Sequence, residues 1–544
     1  MKQQSLRSLT PPANTNPRAC HLSRSRERVS LYGIRVALAG LMICVAGPTG
    51  AIGQDSDLKT VAESSDFQAT APYADVIAFC ETLANSSDKV HLSSMGRTHE
   101  NRDIPLLILA DPPIKSAAEA KADPRPVVFA MGNIHAGEVC GKEALLMLAR
   151  DLVKQDSKAM KELILVFAPI YNADGNERFS TTNRPGQIGP AKGMGQRPNA
   201  MGLDLNRDHM KLESPEARSL AKLMSEWEPI IAMDLHTTDG SFHRFKVTYD
   251  SPRHPATDAK LLEYGRDKFL PTVSKQLKAA TGDLSFYYGN FDRSHENWRS
   301  YPGAPRYSTH YFGLRNSLGI LSEAYAFATF KERVLVTYHF VDEILKLAIT
   351  EKAAVSKLIA EARTSKTTQI AVGSKPTAFE RLFTIPAWKE TVAGRGRQAK
   401  DTDEATEYQV KYHGIEASSL DIKRPAHYVV PNSQTKVIEN LTNHGVRFET
   451  VNESRDVTVT AYKITGYEMA KREFQGHKVV SGVEVTTAEK TISLQLGDIV
   501  VPTDQPLGRL IVNLLEPQAT DGLCAWNYFD DALESKDYPI FRIE

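Results

Sequence analysis

The chain has 544 residues, of which 41% are hydrophobic and 24% charged, and its 66 Lys and Arg residues equal its 66 Asp and Glu residues in number. This length exceeds one typical domain, and the composition is that of a folded protein with a full core, which excludes a disordered chain. The even balance of charge gives no basic surplus, so we expect no nucleic-acid partner.

The N-terminal segment has the composition of a secretory signal. Residues 1–53 carry seven Lys or Arg residues and one acidic residue, and they end in the apolar run VALAGLMICVAG followed by small residues. This pattern predicts a signal peptide with a long basic region, cleaved after Gly53, and an exported protein in the periplasm, outside the cell or at its surface. The apolar run is shorter than a membrane span, so no stable span is expected after cleavage. An uncleaved anchor, or a start codon placed too early, is the alternative.

Three cysteines follow the predicted cleavage site, namely Cys80, Cys140 and Cys524. They are far apart and odd in number, so they indicate neither a disulfide framework nor a Cys-based metal site. One disulfide bridge at most, or three buried free thiols, are the two interpretations that the spacing leaves open.

Residues 54–363 alternate between predicted strands and helices. Apolar residues recur at helical spacing over 73–87, and a second helix begins with Ser214 as N-cap and Pro215 in its first turn. Four apolar runs predict buried strands: PVVFAMGNI, ELILVFAPI, PIIAMDL and LGILSEA. A helical pattern from Val336 to Ala360 closes the region. The prediction is an α/β fold with a mixed, largely parallel sheet flanked by helices.

The C-terminal part of the chain has a different pattern. Residues 364–377 are polar and rich in turn-forming residues, which predicts a linker. Residues 378–544 contain four runs with β-branched residues that predict short strands: RDVTVTAYKI, HKVVSGVEVTT, KTISLQL and GRLIVNLL. We therefore predict a smaller, all-β, sandwich-like domain, whose role the sequence leaves open.

Polar residues with metal-binding chemistry follow the predicted strands. His135 and Glu138 come directly after PVVFAMGNI, His236 follows PIIAMDL, and Glu323 lies at the end of LGILSEA. Ligands bind at the carboxyl ends of parallel strands, so these side chains are expected to share one cleft. Catalytic zinc takes three ligands of this kind and keeps a fourth position for water, which leaves Glu323 as general base. An isolated His-x-x-Glu is more often an ordinary polar loop, and only the joint set favours a metal site.

Several motifs in a fixed order across roughly residues 73–328 carry a family resemblance: MGRTHENRDIPLLIL, GNIHAGE, YNADGNERF, GLDLNRD, DLHTTDG and ILSEAYAF. This set resembles the carboxypeptidase A-like zinc metallocarboxypeptidases. The resemblance implies one Zn²⁺ per chain, held by His135, Glu138 and His236, with Glu323 as the catalytic base. The predicted C-terminal domain lies outside it.

The resemblance also implies residues that contact substrate. Asn206 and Arg207 would bind the terminal carboxylate of a peptide, since the planar guanidinium of Arg grips a carboxylate at two points. An arginine that stabilises the oxyanion is expected after the YNADG segment. We choose Arg184 for this role; Gln187 lies nearest the expected position, and Arg197 is a further candidate.

Two other positions bear on substrate binding. A tyrosine that caps the substrate is assigned to Tyr301 by its spacing from Glu323, with Tyr307 and Tyr311 as alternatives. Digestive members of the family carry an Arg directly before the Glu ligand, and here that position is Gly137. One substrate contact of the family is therefore expected to be missing.

Together these residues predict an exported zinc-dependent metallocarboxypeptidase. It would hydrolyse the C-terminal peptide bond of a peptide with a free carboxylate, by zinc-activated water and a Glu base. A zinc amidase that acts on cell-wall peptides, or on another amide bearing a carboxylate, is the first alternative. A non-catalytic surface binding protein is the second, although such a protein has no need of Glu323. The side-chain preference and the oligomeric state are left open.

Overall fold

The buried apolar runs of the sequence form neighbouring strands in one mixed sheet. A computed structural model describes residues 58–238, 240–390 and 401–544. The predicted signal peptide, residues 1–53, lies outside the described residues. The strands before residue 330 are β1 (Val90–Arg97), β2 (Asp103–Leu109), β3 (Val127–Gly132), β4 (Ile164–Ala168), β5 (Ile231–Thr238), β6 (Val247–Asp250), β7 (Ser285–Tyr287), β8 (Asn290–Phe291), β9 (Asn297–Arg299) and β10 (Leu318–Tyr325).

Within the described ranges, eight of these strands form the main sheet in the order β1-β2-β4-β3-β5-β10-β6-β7. The central pairs β4–β3, β3–β5 and β5–β10 are parallel, whereas β1–β2, β2–β4 and β10–β6 are antiparallel. Every residue of β3, β4 and β5 is buried, which is why these strands are continuous apolar runs in the sequence. The predicted mixed, largely parallel sheet is confirmed.

Helices cover both faces of this sheet. They are α1 (Val61–Ser64), α2 (Tyr73–Ser86), α3 (Ala117–Ala122), α4 (Cys140–Lys154), α5 (Lys158–Glu162), α6 (Ala173–Asn176), α7 (Pro215–Trp227), α8 (Ala259–Glu263), α9 (Leu270–Thr281), α10 (Ser308–Leu314) and α11 (Phe330–Arg363). The Ala217 N–H donates to Ser214 Oγ (3.1 Å), so α7 begins at the predicted cap. α11 starts before the predicted Val336 because Thr329 and Glu332 form a capping box. None of the described helices is both long and apolar enough to cross a membrane.

The C-terminal region is β-rich, as predicted, and it also contains helices. Its strands are β11 (Gln369–Thr377), β12 (Leu382–Glu390), β13 (Asp401–His413), β14 (Ile415–Lys423), β15 (His427–Val430), β16 (Glu449–Thr450), β17 (Arg455–Met469), β18 (Val480–Leu494), β19 (Ile499–Pro502) and β20 (Phe541–Ile543). Its helices are α12 (Thr435–Asn443), α13 (Gly508–Leu515) and α14 (Asp530–Ser535). The strands fall into several sheets.

Two predictions for this region need correction. GRLIVNLL, predicted as a strand, is helix α13, and all eight of its residues are buried. Its two polar side chains, Arg509 and Asn513, are four residues apart, a helical spacing that the strand prediction overlooked. The predicted linker 364–377 contains strand β11, whose Ile370, Ala371 and Val372 are buried. In addition, HKVVSGVEVTT and KTISLQL lie in one long strand, β18.

The C-terminal strands share a sheet with the region that precedes them. β13 pairs in parallel with β9, and the order β12-β13-β9-β8 joins both parts of the chain. Trp298 in β9 and Tyr412 in β13 are both buried in the same apolar cluster. The division of the chain at residues 364–377 remains a proposal about its domain organisation.

The cysteines contribute to packing. Cys80, Cys140 and Cys524 are buried, and each is a free thiol. Of the two interpretations left open by their spacing, the structure therefore has three buried thiols and no bridge among them.

Candidate active site

The predicted site residues meet at the carboxyl ends of β3, β5 and β10. His135 and Glu138 lie in the turn between β3 and α4, where the Glu138 N–H donates to the His135 carbonyl (2.8 Å). β5 and β10 pair in parallel with His236 directly opposite Glu323. Helix α4 approaches β5 closely because Gly141 has no side chain; a Cβ there would lie 2.6 Å from Leu235 Cβ.

His135, Glu138 and His236 form a compact group of metal-ligand atoms. One ligand atom from each lies within 4.8 Å of the other two, and all three residues are buried. The two Nδ1 atoms are 3.2 Å apart. Glu138 Oε1 lies 3.0 Å from His135 Nδ1, and Oε2 lies 2.9 Å from His236 Nδ1. No second group of three such side chains occurs among the described residues.

Carboxylates behind the two imidazoles fix their orientation. His135 Nε2 lies 3.0 Å from Asp204 Oδ1, and His236 Nε2 lies 2.7 Å from Asp234 Oδ2. Each imidazole donates its Nε2–H to a carboxylate, which leaves Nδ1 as an acceptor that faces the other Nδ1 and the Glu138 oxygens. The two Nδ1 atoms and the Glu138 oxygens are acceptors that repel one another at these distances, and a cation between them would relieve the repulsion. The group therefore fits a divalent metal ion, and two imidazoles with one carboxylate are a donor set of catalytic zinc.

Asp204 connects the metal-ligand group to two arginines. Its Oδ2 accepts from Arg197 Nε (2.9 Å) and lies 3.8 Å from Arg207 Nη1. Burial opposes ionisation of this carboxyl, but His135, Arg207 and Arg197 hold its pKa far below the usual range. Asp204 Oδ1 also accepts from the Asn206 N–H (3.0 Å) and so caps the short helical turn 205–207. Sequence analysis missed this residue.

Replacing Asp204 with Asn should weaken divalent-metal binding by about 10- to 100-fold. The neutral amide cannot hold the His135 ring as the charged carboxylate does. Competition with a chromophoric chelator measures the affinity. Asp156→Asn is a matched control, because Asp156 lies at the surface, where it pairs with Lys89 and Lys161. Equal affinity in both variants would contradict a role for Asp204 in orienting His135.

Two of the candidate arginines reach Glu138. Arg184 Nη2 lies 2.7 Å from Glu138 Oε1, and Arg197 Nη1 lies 3.6 Å from the same oxygen. Arg184 is therefore the closer of the two cations to Glu138, whereas Arg197 pairs with Asp204 and lies 3.3 Å from His135 Nδ1. Gln187, the third candidate, donates its backbone N–H to the Arg184 carbonyl in the same turn (2.9 Å).

The structure explains why position 137 is glycine. A Cβ at Gly137 would lie 2.5 Å from Arg184 Cγ and 2.7 Å from the Gly195 carbonyl oxygen. The aliphatic stem of Arg184 thus occupies the space that a side chain at 137 would need. Position 137, where the sequence comparison expected an arginine, is instead covered by the side chain of Arg184.

Asn206 and Arg207 lie together at the edge of the group. Asn206 Nδ2 is 3.3 Å from His236 Nε2, and its Oδ1 accepts from the Ser308 N–H (2.8 Å). The Arg207 guanidinium lies over the ring of Tyr307, 4.3 Å from its centroid. The structure therefore brings the predicted carboxylate-binding pair next to the metal-ligand group.

The three candidate tyrosines have different surroundings. Tyr301 is half-buried and packs edge-on against Tyr307, with 4.9 Å between ring centroids. The Tyr311 hydroxyl lies 2.9 Å from His444 Nδ1 inside the core, away from Arg207. Of the three, Tyr307 is the one in contact with Arg207.

The Glu323 carboxyl lies beside the metal-ligand group. The residue is partly exposed, but its Oε2 is buried and has no hydrogen-bond partner among the described residues. Burial raises the pKa of the Glu323 carboxyl to about 8; His236 opposes this rise, and the negative charges of Glu138 and Asp234 add to it. A free carboxyl oxygen of raised basicity, beside a metal-ligand group, is suited to accept a proton.

The chain is similar to several known proteins. Residues 76–304 match the family described as zinc carboxypeptidase. The chain is similar to carboxypeptidase 2 of Trichophyton tonsurans, 24% identical over 473 residues that cover 82% of each protein. Carboxypeptidase 2 of Trichophyton rubrum is 23% identical and covers 86% of this chain and 85% of its own. A metallo-carboxypeptidase structure from Burkholderia cenocepacia, 17% identical, covers 52% of this chain and 70% of its own with a TM-score of 0.39.

The extent of these matches differs between the two parts of the chain. The family match includes the three metal-ligand residues and ends before Glu323. Residues 1–363 are about two thirds of the chain, so a match that covers 82% of it extends into the C-terminal region. The fungal relatives therefore share part of the region that the sequence motifs left unassigned.

Proposed function

We propose that this chain, whose residues 76–304 match the zinc carboxypeptidase family, is an exported exopeptidase that removes C-terminal residues from peptides. The observation that supports this most directly is the buried His135–Glu138–His236 group, with Glu323 opposite His236 and Arg207 beside Asp204. Export is proposed from the basic and apolar composition of residues 1–53. A family member of this kind is an enzyme, which sets aside the non-catalytic binding protein.

The cofactor is Zn²⁺, and we assign one ion per chain to His135, Glu138 and His236. Zinc bound there supplies a Lewis acid that polarises the scissile carbonyl and lowers the pKa of a water molecule. The outer carboxylates Asp204 and Asp234 keep both imidazoles aimed at the ion.

Glu323 is proposed to move the proton. Its Oε2 takes a proton from the attacking water and delivers it to the nitrogen of the leaving amine. The raised pKa of the Glu323 carboxyl supports this assignment, because a base must be strong enough to take the proton and still able to release it.

Arginines are proposed to bind the two negatively charged groups of the substrate, namely the oxyanion and the terminal carboxylate. Arg184 donates to the oxyanion that forms at the scissile carbonyl, and Arg197 is the alternative for this role. Asn206 and Arg207 bind the terminal carboxylate, where the guanidinium fork makes two parallel hydrogen bonds. Tyr301 is proposed to cap the bound residue, with Tyr307, which contacts Arg207, as the alternative.

Arg207→Ala tests the proposed function. The wild-type chain should release single residues from peptides with a free carboxylate, and the variant should raise KM for them about 10- to 100-fold. Mass spectrometry of a mixed peptide pool identifies the products, and initial rates give KM and kcat. Arg207→Lys should recover only part of the loss, since Lys keeps the charge but lacks the fork.

Matched peptides with amidated C-termini provide the control. If Arg207→Ala affects amidated and free peptides equally, Arg207 does not bind the carboxylate. Release of internal fragments or cleavage of side-chain amides by the wild-type chain would favour the amidase alternative.

A further inference from the structure

We infer that the C-terminal region positions both walls of the substrate cleft, through residues that do not themselves touch substrate. The first wall is residues 204–213, which includes Asn206 and Arg207. The second wall is residues 300–307, which includes Tyr301 and Tyr307. This inference rests on the proposed function, because it takes these walls to bind the C-terminal end of a peptide.

The loop between β17 and β18 holds the first wall at both ends. The Asp204 N–H donates to Gln475 Oε1 (2.7 Å), and Glu213 Oε1 lies 2.7 Å from His477 Nε2. Gln475 has a left-handed backbone (φ +54°), and Phe474 and His477 close a tight turn around it by two backbone hydrogen bonds. A turn of this kind presents the Gln475 amide to Asp204 in one orientation.

Other C-terminal residues bind the middle of the first wall. Asn440 Nδ2 donates to the carbonyl oxygens of Met210 and Lys211, both at 3.1 Å. The Tyr528 hydroxyl also donates to the Lys211 carbonyl (2.8 Å). Buried backbone carbonyls need hydrogen-bond partners. For Met210 and Lys211 these partners are Asn440 and Tyr528, which lie more than 200 residues away in sequence.

Two buried acidic residues hold the second wall. Asp521 accepts from the Arg306 backbone N–H (2.9 Å) and from Arg306 Nε (2.7 Å). Glu416 Oε1 accepts from the Gly303 N–H (2.8 Å) and lies 3.3 Å from Arg253 Nη1. Both acidic residues come from the C-terminal region, so this wall is held from there as well as by Arg253 of the α/β region, which donates to the Tyr301 carbonyl.

The two walls meet where Arg207 lies over Tyr307. A shift of either wall changes this stacking contact and therefore the direction of the guanidinium that would bind a carboxylate. A displacement of 1 Å by a distant substitution can cost about 10²-fold in rate. Gln475, Glu416 and Asp521 are thus positioning residues for substrate binding.

Gln475→Ala and Asp521→Asn test this inference in the full chain loaded with zinc. Each variant should raise KM for a free-carboxylate peptide by about 10-fold or more, while kcat and zinc content stay close to those of the wild type. Amide hydrogen exchange should become faster in residues 204–208 for the first variant and in residues 302–308 for the second, without a matching fall in Tm.

Matched controls come from the same region. Gln518→Ala loses a hydrogen bond to the Val483 carbonyl, and Asp498→Asn loses one of the two bonds that Asp498 accepts from the N–H groups of Asn432 and Gln495. These partners all lie in the C-terminal region. The control variants should leave KM and exchange in both walls unchanged.

Unchanged hydrogen exchange in the walls overturns the inference, as does an equal rise in KM and an equal fall in Tm in test and control variants. If the wild-type chain releases no C-terminal residue, the proposed function fails, and the exchange measurement still decides whether the C-terminal region positions the walls. Glu416→Gln acts on the second wall and serves in place of Asp521→Asn if that variant does not fold.

Discussion

Replacing Glu323 with Gln should stop hydrolysis and leave zinc bound at one ion per chain. Gln has the shape of Glu but cannot take a proton from water, so kcat should fall by about 10²- to 10⁴-fold. Zinc should stay because Glu323 is not one of the three clustered ligand residues. Steady-state kinetics on a free-carboxylate peptide and metal analysis of the same preparation give both quantities.

Glu226→Gln is the matched control for this substitution. Glu226 lies on the surface of α7, 3.8 Å from Lys222, and half of its side chain is exposed. The Glu226→Gln variant should keep the wild-type kcat. A Glu323→Gln chain with near-normal kcat would refute the assignment of Glu323 as the base, whereas a chain without zinc would place Glu323 among the metal ligands.

Replacing His236 with Ala should remove both zinc and hydrolysis. Two ligands remain, and the loss of metal affinity should exceed the about 10- to 100-fold change expected for an outer partner such as Asp204. The substitution also leaves the buried Asp234 without the imidazole that it binds at 2.7 Å, so Tm should fall as well. Metal analysis after dialysis, kinetics and thermal unfolding measure these effects.

His99→Ala provides the comparison, because His99 is exposed and lies in the HENRD segment, away from the metal-ligand group. It should keep zinc, activity and Tm. Zinc retained at one ion per chain in the His236→Ala variant would mean that the ion is held elsewhere.

The central sheet could be predicted from the sequence because its strands are buried on both faces. β3, β4 and β5 are apolar runs of strand length between predicted helices, and this pattern is typical of a parallel sheet. The order of the strands could not be predicted. β5 and β10 are neighbours although about 80 residues separate them, and β6 and β7 at the sheet edge are too short to have a clear pattern.

The metal-ligand residues could be predicted because each follows a recognisable strand. Of the two carboxylates that contact their imidazoles, only Asp234 had a signal in the sequence. Asp234 and His236 lie two residues apart in β5, on the same face of the strand, so the AMDLH segment did contain a signal. Asp204 could not be assigned to His135 in this way. The two are 69 residues apart, and only the folded turn 205–207 brings the carboxylate to the imidazole.

The C-terminal region was harder to predict because its contacts are with distant residues. Helix α13 is buried throughout, and its polar side chain Arg509 pairs with Asp258, which is about 250 residues away in sequence. Gln475 and Asp521 are an ordinary loop amide and a lone carboxylate in sequence, and their importance depends on contacts with Asp204 and Arg306. Patterns of hydrophobicity carry no information about such pairs.

Asp204 makes zinc affinity and peptide affinity dependent on each other. Its carboxylate contacts His135 on one side and the guanidinium of Arg207 on the other. A peptide carboxylate bound at Arg207, as proposed, would compete for that guanidinium, leave more of the Asp204 charge to His135 and strengthen His135 as a ligand. Coupling between two binding sites is reciprocal, so zinc held by His135 would raise the affinity for the peptide by the same factor. Under the proposed function, we therefore expect the zinc-loaded chain to bind its peptide more tightly than the metal-free chain does.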